Sequence, residues 1–211
     1  DGDLILVAYL FALARFFTTA AALDTGSSFG GMGAAREATF ACLAEPALFF
    51  SLIMLATNSG SLTMSGILHG PAAAFSTDLL APLSMTSIGL FIVLLAESCR
   101  IPVDDPNTHL ELTMIHEAMT LDHSGPLMGI ITYAATLKLY VLGVFLLHVL
   151  APFSTGIVAA DCGLFVAGLL LLAVLIGGIE SFMARLRMNR IQYLLVGALL
   201  FNAAGFILMV R

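Results

Sequence analysis

Charged residues are scarce in this sequence. Asp, Glu, Lys and Arg make up 10% of its 211 residues, against about 25% in an average soluble domain. Together with a mean hydropathy of +1.03, this shortage excludes an ordinary soluble protein. The 14 acids and 8 Lys and Arg residues give a net charge of −6 and form no basic block, so no nucleic acid partner is indicated. We therefore expect a protein that lies in a lipid bilayer.

Cysteine is rare and tryptophan is missing. The sequence has no Trp and only three Cys residues, Cys42, Cys99 and Cys162. These lie too far apart for a CxxC clip, an iron–sulfur ligand set or a zinc site, so we expect no metal and no cofactor on this chain. Residues 1–3 include neither an initiator Met nor a basic signal-peptide start, and we expect further chain upstream of them.

Apolar runs recur along the chain, and each is long enough to cross the hydrocarbon core, which takes about 20 helical residues. Because lipid offers no partners to backbone polar groups, such runs fold as helices. The glycine-rich segment 26–33 is then either a loop or covered by protein. The sequence predicts an all-α polytopic membrane bundle in one domain over residues 1–211. Its six spanning helices are expected at 4–23, 42–57, 79–96, 126–150, 157–179 and 191–210.

Arginine is unevenly distributed between the two sides of such a bundle. Loops 24–41, 98–125 and 180–190 share one side and hold five Arg residues, whereas loops 58–78 and 151–156 hold no Lys or Arg. Since cationic loops stay in the cytoplasm, we expect the first set of loops on the cytoplasmic side. The five residues are Arg36, Arg100, Arg185, Arg187 and Arg190.

The predicted helices contain the cations Arg15 and Lys138, and the second helix contains Glu45. Lys138 lies in the middle of the fourth helix, where a charge costs at least about 2.5 kcal/mol unless it faces protein or water. It is either a proton-responsive group or a permanently paired lysine that joins two helices. Arg15 is too basic to exchange protons and is expected to be a structural counter-ion. Glu45 is either interfacial or, because Pro46 interrupts the helical hydrogen bonding beside it, part of a cavity wall.

The densest polar stretch, 97–123, sets six acids against one cation. Such a surplus is either a solvated loop or partly buried, and burial beside like charges raises carboxylate pKa values toward physiological pH. The apolar pattern over 108–121 predicts a short helix, half-buried on the cytoplasmic side of the bundle. The acids are Glu97, Asp104, Asp105, Glu111, Glu117 and Asp122, and the cation is Arg100.

Three histidines, His109, His116 and His123, recur at intervals of seven residues in this stretch. On a continuous helix, neighbours would lie about 10.5 Å apart along one stripe, which is too far for a shared metal. Together with Glu111 and Asp122 near the same face, the stripe predicts a proton relay. A solvated polar face is the alternative.

Three segments together resemble one family, the membrane subunit called NADH dehydrogenase subunit 1 in complex I. Residues 26–36 followed by Glu45 are similar to the family's Gly-Ser loop, Arg and membrane Glu. Residues 96–106, AESCRIPVDDP, resemble the AE..R.PFD.P signature with Val103 in place of Phe, and 184–190 resemble the Arg-rich loop before the last helix. The resemblance implies helices 3 to 8 of the family's usual eight. It leaves open whether the first two helices are missing from the native chain or precede residue 1.

Details within the family favour the hydrogenase branch. The stretch 107–125 is longer and richer in His than in quinone-reducing relatives, and 136–138 reads TLK where complex I usually has AEY. Residues 179–181, IES, are also similar to the hydrogenlyase pattern. The chain thus most resembles formate hydrogenlyase subunit 4 and hydrogenase 4 component C, of the group 4 membrane-bound nickel–iron hydrogenases.

This resemblance implies a non-catalytic subunit in a prokaryotic cytoplasmic membrane, which links redox chemistry in docked subunits to translocation of H⁺ or Na⁺. The implied partners are hydrogenase large and small subunits, a ferredoxin-like iron–sulfur subunit and antiporter-like membrane subunits. The nickel–iron centre and the iron–sulfur clusters would belong to those partners. Two other functions stay open: a quinone-chamber subunit of a complex I type NADH dehydrogenase, and a passive membrane scaffold.

The resemblance also assigns roles to residues. The family's coupling carboxylates map onto Glu45, Glu97, Asp104 and Glu111, and we extend the coupling path to Glu117, Asp122, Lys138, His109, His116 and His123. Arg36 and Arg100 join Arg15 as expected structural ion pairs. Arg185, Arg187 and Arg190 are the expected docking residues.

Overall fold

The structure, a computed structural model, describes residues 3–69, 77–104, 114–150 and 157–210. Within these ranges the regular elements are all helices, and six of them are long and apolar enough to cross a membrane. The predicted all-α bundle with six spanning helices is therefore confirmed. The helices are α1 (Asp3–Asp24), α2 (Ser28–Ser59), α3 (Met64–His69), α4 (Thr77–Glu97), α5 (His116–Thr120), α6 (Pro126–Leu150), α7 (Val158–Phe182) and α8 (Met188–Val210); α3 and α5 are the short ones.

Helix α2 differs most from its prediction, because it begins at Ser28 rather than at residue 42. Its 32 residues extend for about 48 Å at 1.5 Å per residue, well beyond a hydrocarbon core of about 30 Å. The predicted loop over 28–41 is thus wrong. A Cβ atom on Gly33 would lie 3.0 Å from the carbonyl oxygen of Ile115, so α5 packs directly on this end of α2. The glycine-rich stretch is covered by protein.

The centre of the bundle is the contact between α4 and α8, with α2 packed against both. Small residues allow this close approach: a Cβ atom on Gly89 would overlap the side chain of Asn202, and one on Gly205 would lie 2.6 Å from Oγ1 of Thr86. Asn202 also donates a hydrogen bond from Nδ2 to the carbonyl oxygen of Ala47 at 2.8 Å. Small residues and buried polar bonds therefore join these three helices, as is usual within lipid.

The outer helices surround this centre. Helix α1 packs against α2, α6 packs against α4, and α7 packs against α6. Of the residues of α7, only Leu172 and Ile176 are buried. Both α1 and α6 contribute to the walls of a cavity that reaches the ends of α2 and α4, and the functional side chains lie there.

Candidate functional site

Arg15, on α1, holds three carboxylates with one guanidinium group. Its Nη1 contacts Oε1 of Glu45 and its Nη2 contacts Oε1 of Glu97, while Nε lies 3.4 Å from Oε1 of Glu37. Glu37 and Glu45 come from α2, and Glu97 is the last residue of α4. Because the Arg15 side chain is only 9% exposed, these charge contacts are weakly screened and join three helices firmly.

Lys138 adds a fourth helix to this arrangement. Its Nζ atom, on α6, lies 2.6 Å from Oε2 of Glu97, whose side chain is 2% exposed. Lys138 therefore has a charged partner, which both of its predicted roles, a proton-responsive group and a permanently paired lysine, require. We call these five residues the charge cluster: Arg15, Glu37, Glu45, Glu97 and Lys138.

The charge cluster borders a cavity of about 620 Å³. Most of the cavity wall is apolar and comes from α1 and α6, with side chains such as Leu10 and Ile131. Its polar end is formed by four members of the charge cluster together with Cys99 and His116. A cavity of this size can hold water or a small organic molecule, so these ionisable groups can exchange protons with its contents.

Asp104 fixes the start of α5 beside the cavity. Its Oδ2 accepts the backbone N–H groups of Ile115 and His116 at 3.0 and 3.1 Å, as a capping carboxylate does at a helix N-terminus. Its Oδ1 lies 3.7 Å from Nη2 of Arg185. The backbone N–H of Leu186 also donates to the carbonyl of Pro102 at 3.0 Å. Segments 98–104, 114–116 and 183–187 therefore form one connected unit.

His116 faces the cavity from the first position of α5. Burial lowers the pKa of its imidazole below the ordinary value of 6.5, and the charge of Lys138 acts in the same direction, while Asp104 opposes both. At neutral pH the ring is therefore uncharged and able to accept a proton.

Cys99 lies two residues after Glu97 and turns the chain away from α4. Its backbone has φ of +50°, in the left-handed region that non-glycine residues seldom adopt. Burial raises the pKa of its thiol well above the ordinary value of 9.0. Since the thiolate is the reactive form, we assign Cys99 a conformational role and no nucleophilic one.

The structure brings only part of the predicted coupling path together. Glu45, Glu97 and Lys138 meet in the charge cluster, and Asp104 lies beside His116. Asp122 is exposed. Glu117 is half-buried on α5 and has an interaction partner. Asp105, His109 and Glu111 lie outside the described residues.

The predicted histidine stripe is wrong for its second half. Helix α5 ends at Thr120, so His116 and His123 do not lie on one continuous helix. Of the short helix expected over 108–121, the described residues form a helix only over His116–Thr120, and three of its five residues, Ala118, Met119 and Thr120, are buried. His116 and His123 nevertheless line one cavity of about 190 Å³, together with Thr18 and Ile131.

The structure shows the expected ion pair for Arg100 but not for Arg36. Arg100 lies 3.4 Å from Glu180 in a partly exposed pair. In the described segments, Arg36 donates to the carbonyl of Met114 at 2.9 Å rather than forming the expected ion pair. Arg185 contacts Asp104, whereas Arg187 and Arg190 are exposed and remain available for a partner.

Glu37 is the one cluster residue that the sequence analysis missed. The predicted loop over 28–41 places Glu37 outside the spanning helices, where it has no expected partner. Once α2 is extended, Glu37, Ala41 and Glu45 follow each other at intervals of four, which places them along one side of a helix. The interval of eight residues between Glu37 and Glu45 is the sequence signal that could have identified Glu37.

In the ranges that the structure describes, no three His, Cys, Asp or Glu residues gather in an arrangement that could hold a metal ion.

Comparison with known proteins identifies relatives of the chain. Hydrogenase-4 component C of Escherichia coli is 34% identical over 153 residues, which cover 72% of this chain and 47% of that protein. Formate hydrogenlyase subunit 4 of Escherichia coli is 33% identical over 198 residues, which cover 89% of this chain and 62% of that protein. The chain thus spans about half to three-fifths of the length of these relatives. No solved structure matches it significantly.

The family comparison covers the entire sequence. The NADH dehydrogenase family model matches residues 1–211, in agreement with the resemblance of the Gly-Ser loop, the AE..R.P segment and the Arg-rich loop. Together with its six candidate membrane helices, this match makes the chain a multi-pass membrane protein, and it belongs to the NADH dehydrogenase family, the complex I subunit 1-like membrane proteins.

Proposed function

We propose that this chain is the membrane-anchor and energy-coupling subunit of a hydrogenase complex of the hydrogenase-4 or formate hydrogenlyase type. The observation that carries the proposal is the charge cluster, in which four helices bring five ionisable side chains together. Ionisable groups inside a membrane are costly and mark ion pathways. The names of the two relatives support the hydrogenase assignment.

The docking surface lies where Arg187 and Arg190 are exposed. Hydrogenase large and small subunits, with a ferredoxin-like iron–sulfur subunit, bind there on the cytoplasmic side. Exposed cations on this surface attract partner carboxylates and orient the approach. The nickel–iron centre and the iron–sulfur clusters are held by these partners, where two protons and two electrons combine to H₂.

Coupling runs from this surface into the membrane. Arg185 contacts Asp104 at 3.7 Å, and Asp104 holds the backbone of His116 at 3.1 Å. His116 and the charge cluster line the same cavity. A change of charge or position in the docked subunits alters the Arg185–Asp104 contact, then the position of α5, and finally the protonation of the charge cluster. Antiporter-like membrane subunits carry the resulting H⁺ or Na⁺ movement.

A second candidate function is a quinone-chamber subunit, and the cavity favours it. Its volume of about 620 Å³ and its largely apolar walls suit an amphiphilic molecule with a polar head near His116. The two functions differ in the docked large subunit, since a hydrogenase partner binds nickel and a quinone reductase partner does not.

The composition of the intact complex tests the proposed function. Purified from native membranes through a tag on this chain, the complex should contain nickel, produce H₂ from a low-potential electron donor, and keep both properties through size-exclusion chromatography. A complex without nickel that reduces a soluble quinone would overturn the hydrogenase assignment and favour the quinone-chamber function.

A further inference from the structure

The charge cluster does not balance when all its members are ionised. Arg15 and Lys138 supply two positive charges, and the cluster contains three carboxylates. Two against three leaves one negative charge in excess. An uncompensated buried charge is expensive, and a carboxylic acid in this position takes up a proton instead. One of the three carboxylates is therefore the natural place for a proton.

The three carboxylates are not held equally. Glu97 contacts a cation with each of its oxygens, Arg15 through Oε1 and Lys138 through Oε2, and is 2% exposed. Glu45 contacts Nη1 of Arg15, and its side chain is 40% exposed, so part of its charge can be solvated. Glu37 has the longest cation contact, 3.4 Å to Nε of Arg15, and is only 16% exposed. Ionisation is supported least at Glu37.

The Nε atom of Arg15 also indicates that Glu37 is held less tightly than the other two carboxylates. Its Nε atom is buried and, among the described residues, donates no hydrogen bond, although Oε1 of Glu37 is 3.4 Å away. A buried donor without an acceptor is costly. A small closing movement of an ionised Glu37 would satisfy that donor, so the two charge states of Glu37 favour two different distances from Arg15.

We propose that Glu37 carries the exchangeable proton of the charge cluster. This inference rests on the proposed function and adds the residue at which the proton is held. In the resting state Glu37 is a carboxylic acid facing the cavity. When it ionises, its O–H bond breaks, the proton passes to the neutral imidazole of His116 or to water in the cavity, and no electron moves. The carboxylate then closes on Nε of Arg15.

Other ionisable groups surround Glu37 and determine whether it is protonated. Arg15, Lys138 and Glu97 act on it most directly, and a change in the charge of His116 or Asp104 alters the same field. A docking event that alters the charge or position of Asp104 would therefore change the protonation of Glu37. The groups that face it are Arg15 on α1, Glu97 at the end of α4, Cys99 and Asp104 after α4, His116 on α5 and Lys138 on α6. Glu45 on α2 shares Arg15 with it.

Infrared difference spectroscopy of the purified complex tests this assignment. A protonated carboxylic acid has a carbonyl stretch that is separate from carboxylate bands and shifts in D₂O. Subtracting the spectrum of Glu37→Gln from that of the wild type at pH 7 should reveal this carbonyl band. The matched control, Glu45→Gln on the same helix, should yield only carboxylate bands. Glu37→Asp should keep the acid band and move it.

Either of two results would overturn the proposal: carboxylate bands alone in the Glu37→Gln difference, or the acid band in the Glu45→Gln difference. Failure of Glu37→Gln to assemble also counts against it, because a neutral amide is the closest replacement for a protonated acid. A complex with the Glu37 band that moves no ions refutes the proposed function instead. Ion movement without the band refutes only this inference.

Discussion

Nζ of Lys138 lies 2.6 Å from Oε2 of Glu97, at a carboxylate whose side chain is 2% exposed. We expect Lys138→Met to destabilise the protein by about 3–5 kcal/mol, because it leaves a buried charge with one cation fewer. Adding Glu97→Gln should recover part of this loss, so the double variant should be more stable than the sum of the single effects. Chemical unfolding of the purified complex measures all three variants.

The matched control for this pair is Arg100, which lies 3.4 Å from Glu180 with both side chains partly exposed. Arg100→Gln should change stability by only about 0–1 kcal/mol, since solvent screens an exposed pair. Strictly additive effects of Lys138→Met and Glu97→Gln would contradict the contact between these two residues.

The exposed arginines before and within α8 should act in docking rather than folding. Reversing charge with Arg187→Glu and Arg190→Glu is expected to lower the amount of hydrogenase subunits retained on a tagged chain. The loss should be largest at low ionic strength and should shrink as salt screens these charges. Arg185→Gln should instead lower the stability of the chain, because Arg185 contacts Asp104 at 3.7 Å. Retention that is unchanged at every ionic strength would show that Arg187 and Arg190 face another surface.

His116 should make stability depend on pH. Burial and the nearby Lys138 lower its pKa in the folded protein below 6.5. The unfolded chain therefore binds this proton first, and stability is fully present above pH 6.5 and is lost as the pH falls through the lower folded pKa. His116→Gln removes this loss. Unfolding midpoints measured from about pH 8 down to about pH 5 should diverge, with the wild type losing more stability.

One result would contradict the predicted effect of His116 on stability. Parallel loss of stability in the wild type and His116→Gln would mean that the imidazole gains its proton equally in the folded and unfolded chains. Asp122→Asn is a suitable control, because Asp122 is exposed beyond the end of α5 and should leave the profile unchanged.

Local sequence signals predicted the helices but not their partners. Long apolar runs must be helical in lipid, so six spanning helices followed directly. The position of Lys138 in the middle of a predicted spanning helix indicates that it needs a partner. Nothing in the sequence identifies that partner as Glu97, or shows that Arg15 contacts the same residue from 82 positions away. Such pairs depend on how the helices pack.

The error in α2 also has a physical cause. Glycines and the charged pair Arg36 and Glu37 are typical of a loop when read locally. In the structure, Gly33 is the position against which α5 packs, so this part of the helix is covered by protein. Because the predicted helix begins at residue 42 instead of Ser28, Glu37 is not among the predicted helix residues. The predicted histidine stripe likewise requires a helix that reaches His123, whereas α5 ends at Thr120.

Ion movement per H₂ in sealed inverted vesicles tests the central claim most directly. H₂ production and luminal acidification or Na⁺ uptake would be recorded together for the wild type, for Glu97→Gln and for Glu180→Gln, a control carboxylate that pairs with Arg100 outside the charge cluster. The account predicts that Glu97→Gln still produces H₂ while ion movement per H₂ falls to the background set by an uncoupler, and that Glu180→Gln matches the wild type. An unchanged ratio in an assembled Glu97→Gln complex would contradict a coupling role for the charge cluster.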